Sequence, residues 1–61
     1  MDAKRYYRIL VTEMETQLPG NPDVVIDHAV DVAIEERGAH PAKARVAATA
    51  AYNELAREGK L

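Results

Sequence analysis

The sequence contains no cysteine, tryptophan, phenylalanine or serine, and these absences remove whole classes of structure and chemistry. Without cysteine the chain can form neither a disulfide nor a thiolate metal site. The remaining hydroxyl nucleophiles are threonines and tyrosines, and none has an evident base near it in the sequence. The three glycines stand apart and form no phosphate-binding loop. The sequence therefore predicts a protein that is not an enzyme and that holds no cofactor and no metal.

Long hydrophobic runs are also absent. The apolar run Ile9-Leu10-Val11, which follows three basic residues, is too short for a signal peptide or a membrane span. We therefore expect a cytoplasmic protein with no membrane contact. The 61 residues allow a single domain, 1–61, and a chain of this size buries only about 60% of the surface that its unfolded form exposes. Because no disulfide or metal can add stability, a second copy is the expected source, and the sequence predicts a homodimer.

The segment from Asn21 to Pro41 has the features of one complete helix. Asn21 is a good N-cap, Pro22 fits the first helical position, and Gly38 can adopt the left-handed conformation that ends a helix. Its apolar residues span roughly 200° at about 100° per residue, so a helix over 22–37 must contact more than one neighbour. These residues are Val25, Ile26, Ala29, Val30, Val32, Ala33 and Ile34.

Residues 2–18 allow two interpretations. Residues 5–11 alternate as a strand would and are good β-formers. A helix over 3–18 is favoured because Met14 and Leu18 continue a helical stripe past the end of that strand. The stripe consists of Ala3, Tyr6, Tyr7, Leu10, Val11, Met14 and Leu18.

A third helix is predicted over 41–58, with Gly59 as its stop. Its inner face is nearly all alanine, which lets two helix backbones approach closely. That face consists of Ala44, Ala47, Ala48, Ala51, Tyr52 and Leu55. The opposite side, which has little charge, consists of Ala42, Val46, Thr49, Ala50, Asn53 and Arg57. The predicted fold is thus all-α, with three short helices in a small bundle.

Acidic residues recur every four positions along the second helix, at Asp23, Asp27, Asp31 and Glu35. Together with His28, which shares a face with Asp31 and Glu35, they resemble a divalent-metal ligand set. A second histidine four residues from the first is missing, and repulsion between like charges at this spacing costs only a few tenths of a kcal/mol. The sequence therefore favours a solvated acidic face. His40, in the turn before Pro41, is expected to cap the third helix or to face water.

The predicted function is that of a small interaction or regulatory protein that binds a larger protein as an adaptor, accessory or inhibitor. Two surfaces are candidates for this contact. One is the acidic face of the second helix, which could meet a basic patch. The other is the weakly polar side of the third helix. The candidate residues are Asp27, Asp31 and Glu35 on the first surface, and Val46, Ala50 and Asn53 on the second.

The alternative is a small dimeric DNA-binding regulator. Residues 29–58 follow the outline of a helix-turn-helix, with Lys43 and Arg45 opening its second helix. If residues 4–12 were a strand, the order of elements would be that of a ribbon-helix-helix dimer, with Lys4 and Arg8 facing the groove. The net charge of −2 argues against broad nonspecific nucleic-acid binding.

Overall fold

The computed structural model describes residues 2–61 and folds them into three helices. Helix α1 spans Ala3–Gln17, α2 spans Pro22–Arg37 and α3 spans Pro41–Arg57. The predicted all-α fold is confirmed, with helix ends within one residue of expectation. The strand interpretation of 5–11 is wrong, because that segment lies inside α1. Within residues 2–61, no helix has both the length and the apolar character needed to cross a membrane.

Side chains just outside the helices fix where α1 and α2 begin. The carboxylate of Asp2 accepts a hydrogen bond from the backbone N–H of Arg5 at 2.9 Å, which caps α1. Asn21 accepts in the same way from Val24 at 3.3 Å. Gly38 ends α2 with φ of 63°, a left-handed conformation that favours glycine. The sequence signals for both ends of α2 are therefore confirmed.

The hydrophobic core lies where the three helices meet, and α2 occupies its centre. Five of the seven residues in the wide apolar arc of α2 are buried, while Val32 and Ile34 are half-buried. Helices α1 and α3 of the same chain cover this arc. A second copy is therefore not needed to cover this arc. A dimer stays a prediction that needs another reason. The buried residues are Tyr6, Tyr7, Leu10, Val11, Met14, Val25, Ile26, Ala29, Val30, Ala33, Ala44, Ala48, Ala51 and Leu55.

Helix α3 contributes small side chains to this core, as predicted from its inner face. Ala44, Ala48 and Ala51 are buried together with Leu55, and each is at most 3% exposed. The bulk that surrounds them comes from the tyrosines and aliphatic residues of α1 and α2. Small residues on one helix thus match large residues on the other two, which lets α3 lie close to both.

A tyrosine clasp joins the start of α1 to the end of α2. The hydroxyl of Tyr6 donates a hydrogen bond to Glu36 Oε1 at 2.7 Å. The guanidinium carbon of Arg37 lies 3.8 Å from the centre of the Tyr6 ring, a cation–π arrangement. Burial, followed by the Glu36 carboxylate, raises the pKa of Tyr6 to about 12. The clasp therefore fixes the start of α1 against the end of α2.

Candidate functional site

The side of α3 that points away from α1 and α2 forms a continuous exposed surface, here called the outer face. Its six residues lie roughly opposite the buried side at about 100° per residue. All six are exposed: Ala42, Lys43, Val46, Ala50, Asn53 and Arg57. The structure therefore brings together the three residues predicted for this surface, Val46, Ala50 and Asn53. It adds Lys43, one of the residues predicted for DNA binding, and leaves out Thr49, which is half-buried.

Val46 is the most exposed large hydrophobic residue among the described residues. It is 72% exposed, against 40% for Ile9 and 37% for Leu61. A shallow groove of about 360 Å³ lies beside it and is also lined by Ala42, Lys43, Ala47 and Ala50. Four of these five lining residues are alanine or valine. The middle of the outer face is therefore an apolar depression rather than a polar helix surface.

One basic residue lies toward each end of the outer face. Lys43 lies in the first turn of α3 and Arg57 is its last residue. At 1.5 Å per residue, the two Cα atoms are separated by about 21 Å along the helix axis. Neither side chain forms a salt bridge within residues 2–61. No acidic residue belongs to the outer face, so its two cations are available to an external anion.

Three basic residues near the end of α3, Lys4, Arg8 and Lys60, contact carboxylates of the same chain. Arg8 of α1 donates to Glu54 Oε1 at 3.1 Å and to Glu58 Oε1 at 2.7 Å. Lys4 lies 3.5 Å from Glu54 Oε1, and Lys60 lies 3.4 Å from Glu58 Oε1. The hydrogen bond from Arg8 is the main reason why the pKa of Glu58 falls to about 2. The contacts of Lys4 and Arg8, which join residues far apart in sequence, tie α1 to the end of α3.

The residues predicted for DNA binding are thereby divided between two places. Lys43 and Arg45 lie at the start of α3, whereas Lys4 and Arg8 lie against its last turns. Arg45 contacts Asp27 of α2 at 2.5 Å. Three of the four cations therefore have carboxylate partners within the chain, and only Lys43 has none among residues 2–61. The structure does not bring the four together into one basic surface.

The acidic face of α2 is exposed along its length, at Asp23, Asp27, Asp31 and Glu35. The contact between Asp27 and Arg45, in which each side chain is 55% exposed, neutralises part of it. Asp31 and Glu35 have no cationic partner among the described residues. His28 is exposed on the same helix, and residues 2–61 contain no group of three side chains arranged to hold a metal ion. This face is a solvated acidic surface with one internal ion pair.

His40 occupies the N-cap position of α3, but its side chain makes no capping hydrogen bond. The imidazole is exposed. Of the two roles expected for this residue, the structure therefore shows the one in which it faces water.

Comparison of this chain with protein families, with curated proteins and with solved structures gives no match to any of them.

Proposed function

We propose that this chain is a small non-enzymatic interaction protein that binds a larger protein through the outer face of α3. The observation that carries the proposal is Val46, a large aliphatic side chain that is 72% exposed on the outer face, between Lys43 and Ala50. Covering an exposed valine on binding is favourable by about 1.5 kcal/mol. Alanines beside it add apolar area without a bulky obstacle. An adaptor, accessory or inhibitor role in the cytoplasm belongs to the same proposal.

The outer face is a better candidate than the acidic face of α2 for the main contact. Charged residues are depleted at the centres of protein interfaces, because their water must be removed. The centre of the acidic face carries Asp27 and Asp31, whereas the centre of the outer face carries Val46 and Ala50. Acidic residues are better suited to the rim of an interface, where they affect the association rate.

DNA binding is less well supported by the distribution of charge. A protein that binds duplex DNA through about 6–10 phosphate contacts neutralises those phosphates with lysine and arginine side chains. The outer face offers only Lys43 and Arg57 as cations without a carboxylate partner among residues 2–61. The helix-turn-helix alternative stays a prediction, and the experiments below separate it from protein binding.

Capture from the native host tests the proposal with two variants that introduce the same charge. Val46→Glu places a carboxylate near the centre of the outer face. Gln17→Glu places one at an exposed position, the last residue of α1. We expect the unaltered chain and Gln17→Glu to retain the same host protein and Val46→Glu to lose it. Circular dichroism of each variant establishes that the helices are intact.

Retention of that protein by folded Val46→Glu would overturn the proposed site. The acidic face would then be tested with Asp31→Lys and Glu35→Lys. These two positions are more informative than Asp27, because replacing Asp27 also releases Arg45 from its ion pair.

A further inference from the structure

Building on the proposed function, we propose that the outer face of α3 binds an acidic amphipathic helix of the partner. Such a helix has small or aliphatic residues in the middle of its contact side and carboxylates toward both ends. Along the outer face, the residues run from a cation, Lys43, through the apolar Val46 and Ala50 to the polar Asn53 and a second cation, Arg57. A complementary helix would present the matching order: acidic, apolar, acidic.

The charge of the partner follows from which cations the chain leaves without a carboxylate. Lys4, Arg8, Arg45 and Lys60 each contact an acidic residue of their own chain. Within residues 2–61, Arg5, Arg37, Lys43 and Arg57 form no salt bridge. Arg5 lies on α1 and Arg37 lies over the Tyr6 ring, whereas Lys43 and Arg57 lie toward opposite ends of the apolar surface of α3. Carboxylates about 21 Å apart, which is about four turns of helix, would meet both cations at once. A basic or neutral partner would leave both cations without compensation.

The helical form of the partner follows from the surface it must meet. Backbone groups inside α3 already bond to one another, so the outer face cannot accept an additional β-strand. A partner helix can instead place a side-chain ridge in the groove beside Val46. Alanines at positions 42, 47 and 50 line this groove together with Val46 and leave room for such a ridge. Helix-in-groove recognition therefore fits both the shape and the charge.

A second copy of this chain fits the outer face poorly. Two outer faces packed together would bring two copies of Lys43 and two of Arg57 to one junction with no carboxylate on either face. A standard interface also covers about 800 Å² on each partner, roughly a fifth of the 3937 Å² surface of this protein. The acidic helix α2 of another copy fits no better, because Asp27 and Asp31 would lie over Val46 and Ala50.

Two synthetic peptides of about 18 residues, long enough to span the outer face, test the inference on the full chain. Both have leucine and alanine on one side. One carries glutamates toward its ends, and the other carries lysines at the same positions. Binding is measured by fluorescence anisotropy, and two-dimensional NMR locates the contact on the protein. We expect the glutamate peptide to bind at least about tenfold more tightly and to shift the amide signals of Val46 and Ala50.

A charge-reversed protein, Lys43→Glu with Arg57→Glu, provides the decisive comparison. It should reverse the preference and bind the lysine peptide more tightly, whereas Gln17→Glu should bind like the unaltered chain. Equal affinity for both peptides, or no binding of either up to about 1 mM, would overturn the acidic-helix inference. The proposed function would survive that result if Val46→Glu still abolished capture of the host protein.

Two further measurements distinguish the other possible occupants. Binding to a DNA duplex that is lost in the charge-reversed protein, with no preference between the peptides, would overturn the inference in favour of DNA. Self-association in sedimentation velocity that disappears in Val46→Glu would overturn it in favour of a second copy. With the acidic helix as occupant, we expect no duplex binding and a single monomer boundary.

Discussion

The inner and outer faces of α3 are built from similar residues, but they meet different surroundings. Both contain alanines, and each has one larger aliphatic residue, Leu55 inside and Val46 outside. Leu55 is 3% exposed and Val46 is 72% exposed. Large side chains of α1 and α2 cover the inner face, whereas no element of residues 2–61 covers the outer one.

The difference shows that small apolar residues do not by themselves identify a buried or a binding face. Bulk from other helices makes the inner face part of the core. Two cations that form no salt bridge within residues 2–61, Lys43 and Arg57, distinguish the outer face from an ordinary solvated helix surface. The flank of α3 toward α1 is different again, because its carboxylates Glu54 and Glu58 bind Arg8.

Replacing the larger aliphatic residue of each face with alanine should give the largest difference in the free energy of unfolding between the two faces. Leu55→Ala leaves a cavity in the core and should lower the free energy of unfolding by about 2–5 kcal/mol. Val46→Ala removes a side chain that faces water and should change it by no more than about 0.5 kcal/mol. Urea unfolding followed by circular dichroism measures the change in the free energy of unfolding in both variants.

Leu55→Met protects this comparison against complete unfolding of Leu55→Ala. Stability of a domain of this size is about 3–9 kcal/mol, so the alanine variant could be unfolded in water. The methionine variant keeps the volume and should lose less than about 1.5 kcal/mol. A large loss in Val46→Ala would mean that the outer face is covered in solution.

Lowering the pH should weaken the ion pair that joins Arg8 of α1 to Glu58 at the end of α3. The guanidinium of Arg8 lowers the pKa of Glu58 from its ordinary 4.5 to about 2 in the folded chain. Because the folded pKa lies below the unfolded one, the stabilisation is complete above about pH 4.5 and is lost as pH falls toward 2. We expect the melting temperature to fall across this window, and less steeply in Arg8→Met. An NMR titration of Glu58 that stays near 4.5 would contradict the contact.

The fold could be predicted from local signals because those signals agree with one another. Asn21 and Gly38 mark the ends of α2, and the stripe continued by Met14 and Leu18 favours helix over strand for the first segment. The width of the arc on α2 correctly predicted two neighbours. The arc did not show whether both neighbours belong to one chain. Helical periodicity identifies the apolar face of a helix but not which helices cover that face.

The charge pattern of the site could be predicted only in part. Spacing along α3 was enough to place Val46, Ala50 and Asn53 on one side. The partners of Arg8 were missed, because Glu54 and Glu58 are 46 and 50 residues away in sequence. Contacts at such separations depend on how the helices pack. The sequence alone therefore could not separate cations used inside the chain from cations left for a partner.

A change in protein concentration should have the smallest effect on the stability of the protein. This measurement tests whether a second copy covers the outer face. A chain whose core is complete in one copy unfolds at a midpoint that does not depend on concentration, whereas a dimer becomes more stable as concentration rises. We expect the urea midpoint to stay constant over about a hundredfold range, with Val46→Glu behaving identically. A midpoint that rises with concentration, and that stops rising in Val46→Glu, would show that a second copy covers the outer face. The homodimer predicted from the small size of the chain would then exist, and its interface would be the outer face of α3.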